Sequence, residues 1–119
     1  MSHEAYRKAS KTTANPRNAE YQAFAEATRR LIDAHAAGRE DLKQLIEAIH
    51  LNRTLWGALA SDCADERNTL PNETRAAIIS LARWVASYSS AVMQKDESVE
   101  PLVDVNRIMM DGLSGRVPA

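Results

Sequence analysis

The sequence predicts an all-α fold, a small antiparallel bundle of about five helices. Apolar residues recur at helical spacing through most of the chain, and only four glycines and four prolines interrupt it. Strand signals are missing, because β-branched residues never alternate with polar ones for more than a few positions. Asp111-Gly112 could form a hairpin turn, but too little chain follows it for a second strand.

The first two predicted helices meet at a proline. A short helix is expected over 2–12, anchored by Ala5, Tyr6 and Ala9. Asn15-Pro16 then reads as an N-cap followed by proline at the first helical position, which begins a helix over 16–37. Gly38 is placed to end that helix in a left-handed conformation. The core stripe of this helix is Phe24, Ala27, Leu31 and Ala34.

The helix predicted over 40–64 has an apolar face wide enough to touch neighbours on two sides. Its stripe reads Leu42, Leu45, Ile46, Ile49, Trp56, Leu59 and Cys63. Arg53 is the one charged residue in that series, so a buried or half-buried ion pair is expected for it. Asp62, Asp104 and Asp111 are the alternative partners. We expect this helix to be central in the bundle.

The last two predicted helices cover 71–95 and 99–113, and a polar linker separates them. The longer helix follows a polar loop, opens at Pro71 and has two apolar seams. Its main seam is Ile78, Leu81, Ala82, Val85, Ser89 and Val92, and its second is Ala77, Trp84, Tyr88 and Ala91. The final helix has an apolar face of Leu102, Val103, Asn106, Met109, Met110 and Leu113. Residues 116–119 are expected to be a mobile tail of a single domain spanning 1–119.

Composition narrows the function. The formal net charge is −1, which does not favour a nucleic acid or an acidic membrane as partner. The amino-terminal stretch lacks the apolar core of a signal peptide, and no apolar run approaches the ~20 residues needed to span a bilayer. A single cysteine allows no internal disulfide. A cytoplasmic protein with no membrane partner is expected.

No pattern in the sequence indicates catalysis. The glycines are isolated and none precedes a Lys-Ser or Lys-Thr pair, so no phosphate-binding loop is predicted. His3, His35 and His50 lack metal-ligand spacing, and Cys63 alone cannot build a zinc site. His50 and Cys63 lie 13 residues apart on one predicted helix, about 20 Å by helical rise. We therefore expect no enzyme activity, no catalytic residue, no metal and no cofactor.

The chain resembles the FlaF family over nearly its whole length. The matching stretches are Ala5-Tyr6, 15–17, Glu20-Tyr21, 52–56, 68–71, 75–81, Trp84-Val85 and 102–113. The residues that carry the family pattern are Asn52, Arg53, Trp56, Asp62, Pro71, Arg75, Asp104 and Asn106. The resemblance implies a non-enzymatic regulator of flagellum biogenesis that binds flagellin in the cytoplasm. It further implies that such a protein supports flagellin synthesis and export, in opposition to a second protein, FlbT, which the chain could also contact.

A spare apolar groove would suit an amphipathic flagellin segment. We expect that groove between the helices at 71–95 and 99–113, with Trp84, Tyr88, Met109 and Met110 as candidate contacts. Two interpretations stay open for these residues. Both tryptophans could be core pillars, which is the favoured reading, or interface anchors. The methionines could fill the core or form an adaptable surface.

An alternative function is direct binding of flagellin mRNA, with phosphate contacts from Arg7, Lys8, Lys11 and Arg17. The near-neutral charge and the lack of an aromatic-plus-basic cluster favour protein binding instead.

Overall fold

The computed structural model of the protein describes residues 16–113. It contains four helices, α1 (Pro16–Ala37), α2 (Leu42–Ala64), α3 (Asn72–Lys95) and α4 (Glu100–Leu113). Residues 16–113 include no strand, so the all-α prediction is confirmed for them. The fifth predicted helix, over 2–12, and the predicted tail at 116–119 lie outside the described residues.

The helix ends follow local chemistry. Gly38 has φ 77°, a left-handed conformation that glycine adopts without steric penalty, and it ends α1 as predicted. Asp41 caps α2, since its side chain accepts a hydrogen bond from the Gln44 backbone N–H at 3.1 Å. Asp96 ends α3 at φ 60° in the same left-handed region. These caps give short connections, which fold consecutive helices back on one another.

α2 is the central helix, as predicted, because it packs against α1 on one side and α3 on the other. Consecutive helices are antiparallel. Phe24 early in α1 contacts Trp56 late in α2, and Arg75 early in α3 bonds to Cys63 at the end of α2. α4 packs mainly against α1 and meets α3 only slightly. The described residues therefore form a bundle in which α1 and α3 flank α2, and α4 lies nearer α1.

The two connections at one end of the bundle are joined to each other. Arg39, between α1 and α2, donates to the Val92 carbonyl at 3.0 Å and to the Glu97 carbonyl at 3.3 Å. Its guanidinium also pairs with the Asp96 carboxylate. Because Val92 belongs to the last turn of α3, its carbonyl has no partner within the helix. Arg39 thus holds the turn between α3 and α4 against the connection between α1 and α2.

Most residues of the predicted apolar stripes are buried, but two residues of the α2 stripe are not. All four stripe residues of α1 are buried, and five of the six in the main seam of α3 are buried too. On α2, however, Leu42 and Ile46 are 49% and 45% exposed, so their predicted place in the core is wrong. The correction has a geometric reason: Asn52 and Trp56 define the centre of the buried stripe, and Leu42 and Ile46 fall towards its edge.

α3 is long and apolar enough to raise the question of whether it could span a membrane. It has 24 residues, and an 18-residue window within it has a mean hydropathy of 1.2, which meets the length and composition expected of a membrane-spanning helix. Arg83 lies near its midpoint, where a charge would be costly in a bilayer. Its buried residues form one stripe against the rest of the bundle. This pattern is that of an amphipathic packing helix.

Candidate functional site

Three of the family-pattern residues meet in the interior as a layer of hydrogen-bonded polar side chains. The Trp56 Nε1–H donates to Asn106 Oδ1 at 2.8 Å, and Asn106 Nδ2 donates to Asn52 Oδ1 at 2.8 Å. All three side chains are at most 1% exposed, and the Phe24 ring meets Trp56 edge-on at 5.4 Å. Asn52 Nδ2 is buried with no partner within residues 16–113. The layer therefore serves to fix the position of α4 on α2 more than to add net stability.

Three more family-pattern residues shape the connection between α2 and α3. Arg75 donates from Nε to the Cys63 carbonyl at 2.6 Å and from Nη2 to the Asp65 carbonyl at 3.0 Å. The Asp62 carbonyl accepts from Asn68 Nδ2 at 3.0 Å, and the Pro71 carbonyl accepts from the Arg75 backbone N–H at 3.0 Å. The bonds to Asp62, Cys63 and Asp65 satisfy carbonyls at the end of α2 that lack helical partners, and the bond to Pro71 is the first helical bond of α3. The arrangement is structural.

Cys63 lies beside this connection and is buried. Burial raises the pKa of the Cys63 thiol, because a low-dielectric environment disfavours the thiolate. A protonated, inaccessible thiol is a poor nucleophile. Within residues 16–113 there is also no group of three or more His, Cys, Asp or Glu side chains placed to hold a metal ion.

The last two family-pattern residues, Arg53 and Asp104, are exposed and stand apart from one another. The buried or half-buried ion pair predicted for Arg53 is wrong, since Arg53 lies on the outer side of α2. Asp104 lines a shallow groove between α1 and α4 with Ile32 and His35. The interior position expected for Arg53 belongs instead to its neighbour Asn52.

Trp84, which is exposed, and Tyr88, which is half-buried, form a stacked aromatic pair on α3. Their rings stack with centroids 5.0 Å apart and planes 16° from parallel. The Tyr88 hydroxyl donates to the Ser98 carbonyl at 2.7 Å, which orients the ring beside the turn that enters α4. Burial, with Glu97 and Glu100 nearby, raises the Tyr88 pKa. Trp84 is 37% exposed, so the favoured reading of it as a core pillar is wrong.

Met109 and Met110 are both half-buried but lie on different flanks of α4. Met110 faces α1, since the Thr28 hydroxyl lies 3.9 Å from its sulfur. Val103 and Arg107 also face α1 across a shared groove. At 100° per residue, Val105 and Met109 fall on the opposite flank, which is nearer α3. Helical spacing therefore assigns Met109, but not Met110, to the flank of α4 that faces away from α1, on the side of Trp84 and Tyr88.

Helical spacing assigns Leu81, Trp84 and Tyr88 of α3 and Val105, Ile108 and Met109 of α4 to the flanks by which the two helices face each other, and we call the surface formed by these six residues the α3–α4 cleft. Ile108 is 68% exposed, the most exposed large apolar residue of the described chain. The sequence prediction missed it because it lies beyond the apolar stripe of α4. Its neighbour Met109 and its three-residue spacing from Val105 are signals that could have found it.

The helix walls of the α3–α4 cleft are apolar, and the charges near it are Glu97 and Glu100 beside Tyr88. Between Ala77 and Ala91 the only charged residue of α3 is Arg83, and helical spacing directs it away from this flank. Between Val105 and Gly112 the charged residues of α4 are Arg107 and Asp111, which also fall on other faces. The cleft can bury apolar side chains of a partner along its walls, with two carboxylates only at the Tyr88 end.

A protein-family model described as flagellar protein FlaF matches residues 2–113 of the chain. The match therefore covers nearly the whole sequence, including all six residues that line the cleft. No curated protein and no solved structure matches the chain.

Proposed function

The chain belongs to the FlaF family of flagellar proteins, and on that premise we propose that it binds flagellin in the cytoplasm and supports its synthesis and export. In this proposal the protein is not an enzyme but a chaperone-like regulator that acts opposite FlbT. The observation that supports it is the α3–α4 cleft, where Trp84 and Ile108 expose apolar surface.

The cleft suits an amphipathic helix as its occupant. α3 and α4 meet only slightly, so a third helix can lie between them and bury its apolar face on both. Trp84 and Tyr88 offer a rigid aromatic wall, and Met109 an adaptable thioether opposite it. Each 100 Å² of apolar surface buried contributes about 2.5 kcal/mol before the cost of ordering the partner.

Binding to a cleft with mainly apolar walls should survive high salt, since screening weakens charge pairs but not apolar burial. We expect isothermal titration calorimetry of the full chain against monomeric flagellin to give dissociation constants that agree within about threefold at 0.1 and 0.5 M NaCl. A negative heat-capacity change should accompany binding. A steep loss of affinity with salt would contradict an apolar site.

The location is tested with Trp84→Ala combined with Met109→Asp. This pair should weaken flagellin binding by at least about tenfold, or 1.4 kcal/mol. Ile32→Asp is the matched control, because Ile32 is 42% exposed on the α1 side of the bundle. Circular dichroism would first establish that both variants keep their helix content. Equal binding by parent and double variant would place flagellin elsewhere.

A further inference from the structure

A second groove runs along the other side of α3, between α2 and α3. We call it the α2–α3 groove; it has a volume of about 470 Å³ and is lined by Ile46, Ile49, His50, Arg53, Thr54 and Met93. It shares no residue with the α3–α4 cleft. The two surfaces flank α3, so occupation of one does not block the other.

Apolar side chains are exposed in and beside this groove. Ile46 is 45% exposed within it, and Leu42, one helical turn earlier on α2, is 49% exposed. Met93 is half-buried on the α3 side. Helical spacing also places Gly57 on this outer face, and a Cβ there would meet nothing within 4 Å. The groove is therefore open and has apolar walls.

The only fixed charge among the residues that line the α2–α3 groove is the guanidinium of Arg53. Outside the lining, Lys43 falls within about 80° of Arg53 on the outer face of α2. Arg83 lies on the same side of α3 as Met93. Glu47 and Asp62, the only acids of α2, fall outside this arc. Within residues 16–113, neither Arg53 nor Arg83 is in an ion pair.

We propose that the α2–α3 groove docks an acidic amphipathic helix of a second partner protein, distinct from flagellin. Apolar side chains of that helix would cover Ile46 and Met93, and a carboxylate would pair with the Arg53 guanidinium. Charge complementarity carries the choice of occupant: Arg53 lines the groove, no acid does, and Lys43 and Arg83 lie on the helix faces that flank it. Such a surface repels basic segments and attracts acidic ones. An arginine fork binds a carboxylate through two hydrogen bonds, which also sets the direction of the helix.

The test uses two synthetic 18-residue helical peptides with the same leucine stripe. One has glutamate at the positions beside the stripe, and its twin has lysine there. The full chain should bind the glutamate peptide at least about fivefold more tightly, and the preference should shrink as salt is raised. Arg53→Glu should abolish the preference. Arg107→Glu, an exposed charge reversal on α4, should leave it unchanged. Equal binding of both peptides, no binding of either, or an equal effect of the two variants would overturn the proposal.

Nitrogen–proton correlation spectra of the labelled full chain give the location. Shifts caused by the glutamate peptide should fall on α2 and α3 around Ile46, Arg53 and Met93, with the Trp84 indole signal unmoved. Movement centred on Trp84 would instead place the peptide in the α3–α4 cleft. Arg53→Glu should also keep full affinity for flagellin. Loss of flagellin binding in that variant would assign the groove to flagellin and contradict a second partner. If instead Trp84→Ala with Met109→Asp binds flagellin normally, the location proposed for flagellin is wrong, and the groove proposal still stands.

Discussion

The two tryptophans of this chain occupy opposite environments on neighbouring helices. Trp56 on α2 is 1% exposed, meets the Phe24 ring edge-on and donates its indole N–H to Asn106. Trp84 on α3 is 37% exposed and stacks on Tyr88, a residue of its own helix. The same side chain is thus a structural centre in one place and a surface feature in the other.

The difference comes from which helices are neighbours. α2 is enclosed by α1, α3 and α4, so an apolar residue at the middle of its stripe is covered from every side. α3 packs mainly on α2, and its second seam points to the side where α4 departs towards α1. An apolar residue on that seam stays partly uncovered. Large apolar residues that a fold leaves uncovered are candidates for partner contacts.

The largest expected effect is the contrast between two alanine variants. Trp56→Ala should cost about 3–5 kcal/mol, because it leaves a large cavity and strands the Asn106 carbonyl oxygen. Trp84→Ala should cost only about 1 kcal/mol, most of it from the lost stacking on Tyr88. Urea unfolding followed by circular dichroism measures both. Similar losses in the two variants would mean that the α3–α4 cleft is closed in solution.

A smaller loss of folding stability is expected on substitution of Asn106, which links Trp56 to Asn52. Asn106→Ala leaves the Trp56 N–H and the Asn52 carbonyl oxygen buried without these partners, so it should cost about 1–3 kcal/mol. Asp104→Ala, on an exposed face of the same helix, serves as control and should change stability by less than about 0.5 kcal/mol. If the two variants melt at the same temperature, the polar layer does not hold α4 in place.

The smallest effect belongs to the surface pair. Tyr88→Phe keeps the ring stacked on Trp84 and removes only the hydrogen bond to the Ser98 carbonyl, a loss of about 0.5–1.5 kcal/mol. In a Trp56→Phe background, Trp84 is the sole fluorescent indole, so its emission reports on this surface alone. We expect unfolding at slightly lower urea with little change in the native emission maximum. A large red shift would show that the hydroxyl, and not the stacking, positions Trp84.

The positions of the four helices within residues 16–113 could be predicted from the sequence to within two residues. The predicted helix over 16–37 is observed as Pro16–Ala37, and those predicted from 40, 71 and 99 begin at Leu42, Asn72 and Glu100. The reason is local: Pro16, Gly38 and the polar connections mark helix ends through their own backbone and capping preferences. These helix ends can be predicted without knowing any contact between residues distant in the sequence.

The neighbours of each helix could not be predicted in the same way. The periodicity of α4 shows that Leu102 and Asn106 face inward, but it does not show that α1, and not α3, covers one flank. Because α4 packs on α1, Met110 lies against α1 while Met109 does not, and Trp84 on α3 stays exposed. Likewise, a polar residue such as Asn52 gives no sign in the sequence that a partner 54 residues away will bury it. Site residues that depend on such distant choices were therefore the least predictable.

The bonds from Arg39 to Val92 and Glu97 have a consequence for motion. They tie both connections at the end of the bundle where α4 begins, which places the last turns of α4 farthest from this brace. Displacement of α4 should therefore pivot near residues 96–99, and the two turns beyond Asn106 should yield first. In amide hydrogen exchange, the amides of residues 109–113 would open without global unfolding, while those near residue 102 would not. Such a hinge admits an incoming helix from the end where α1 begins and leaves the braced end closed.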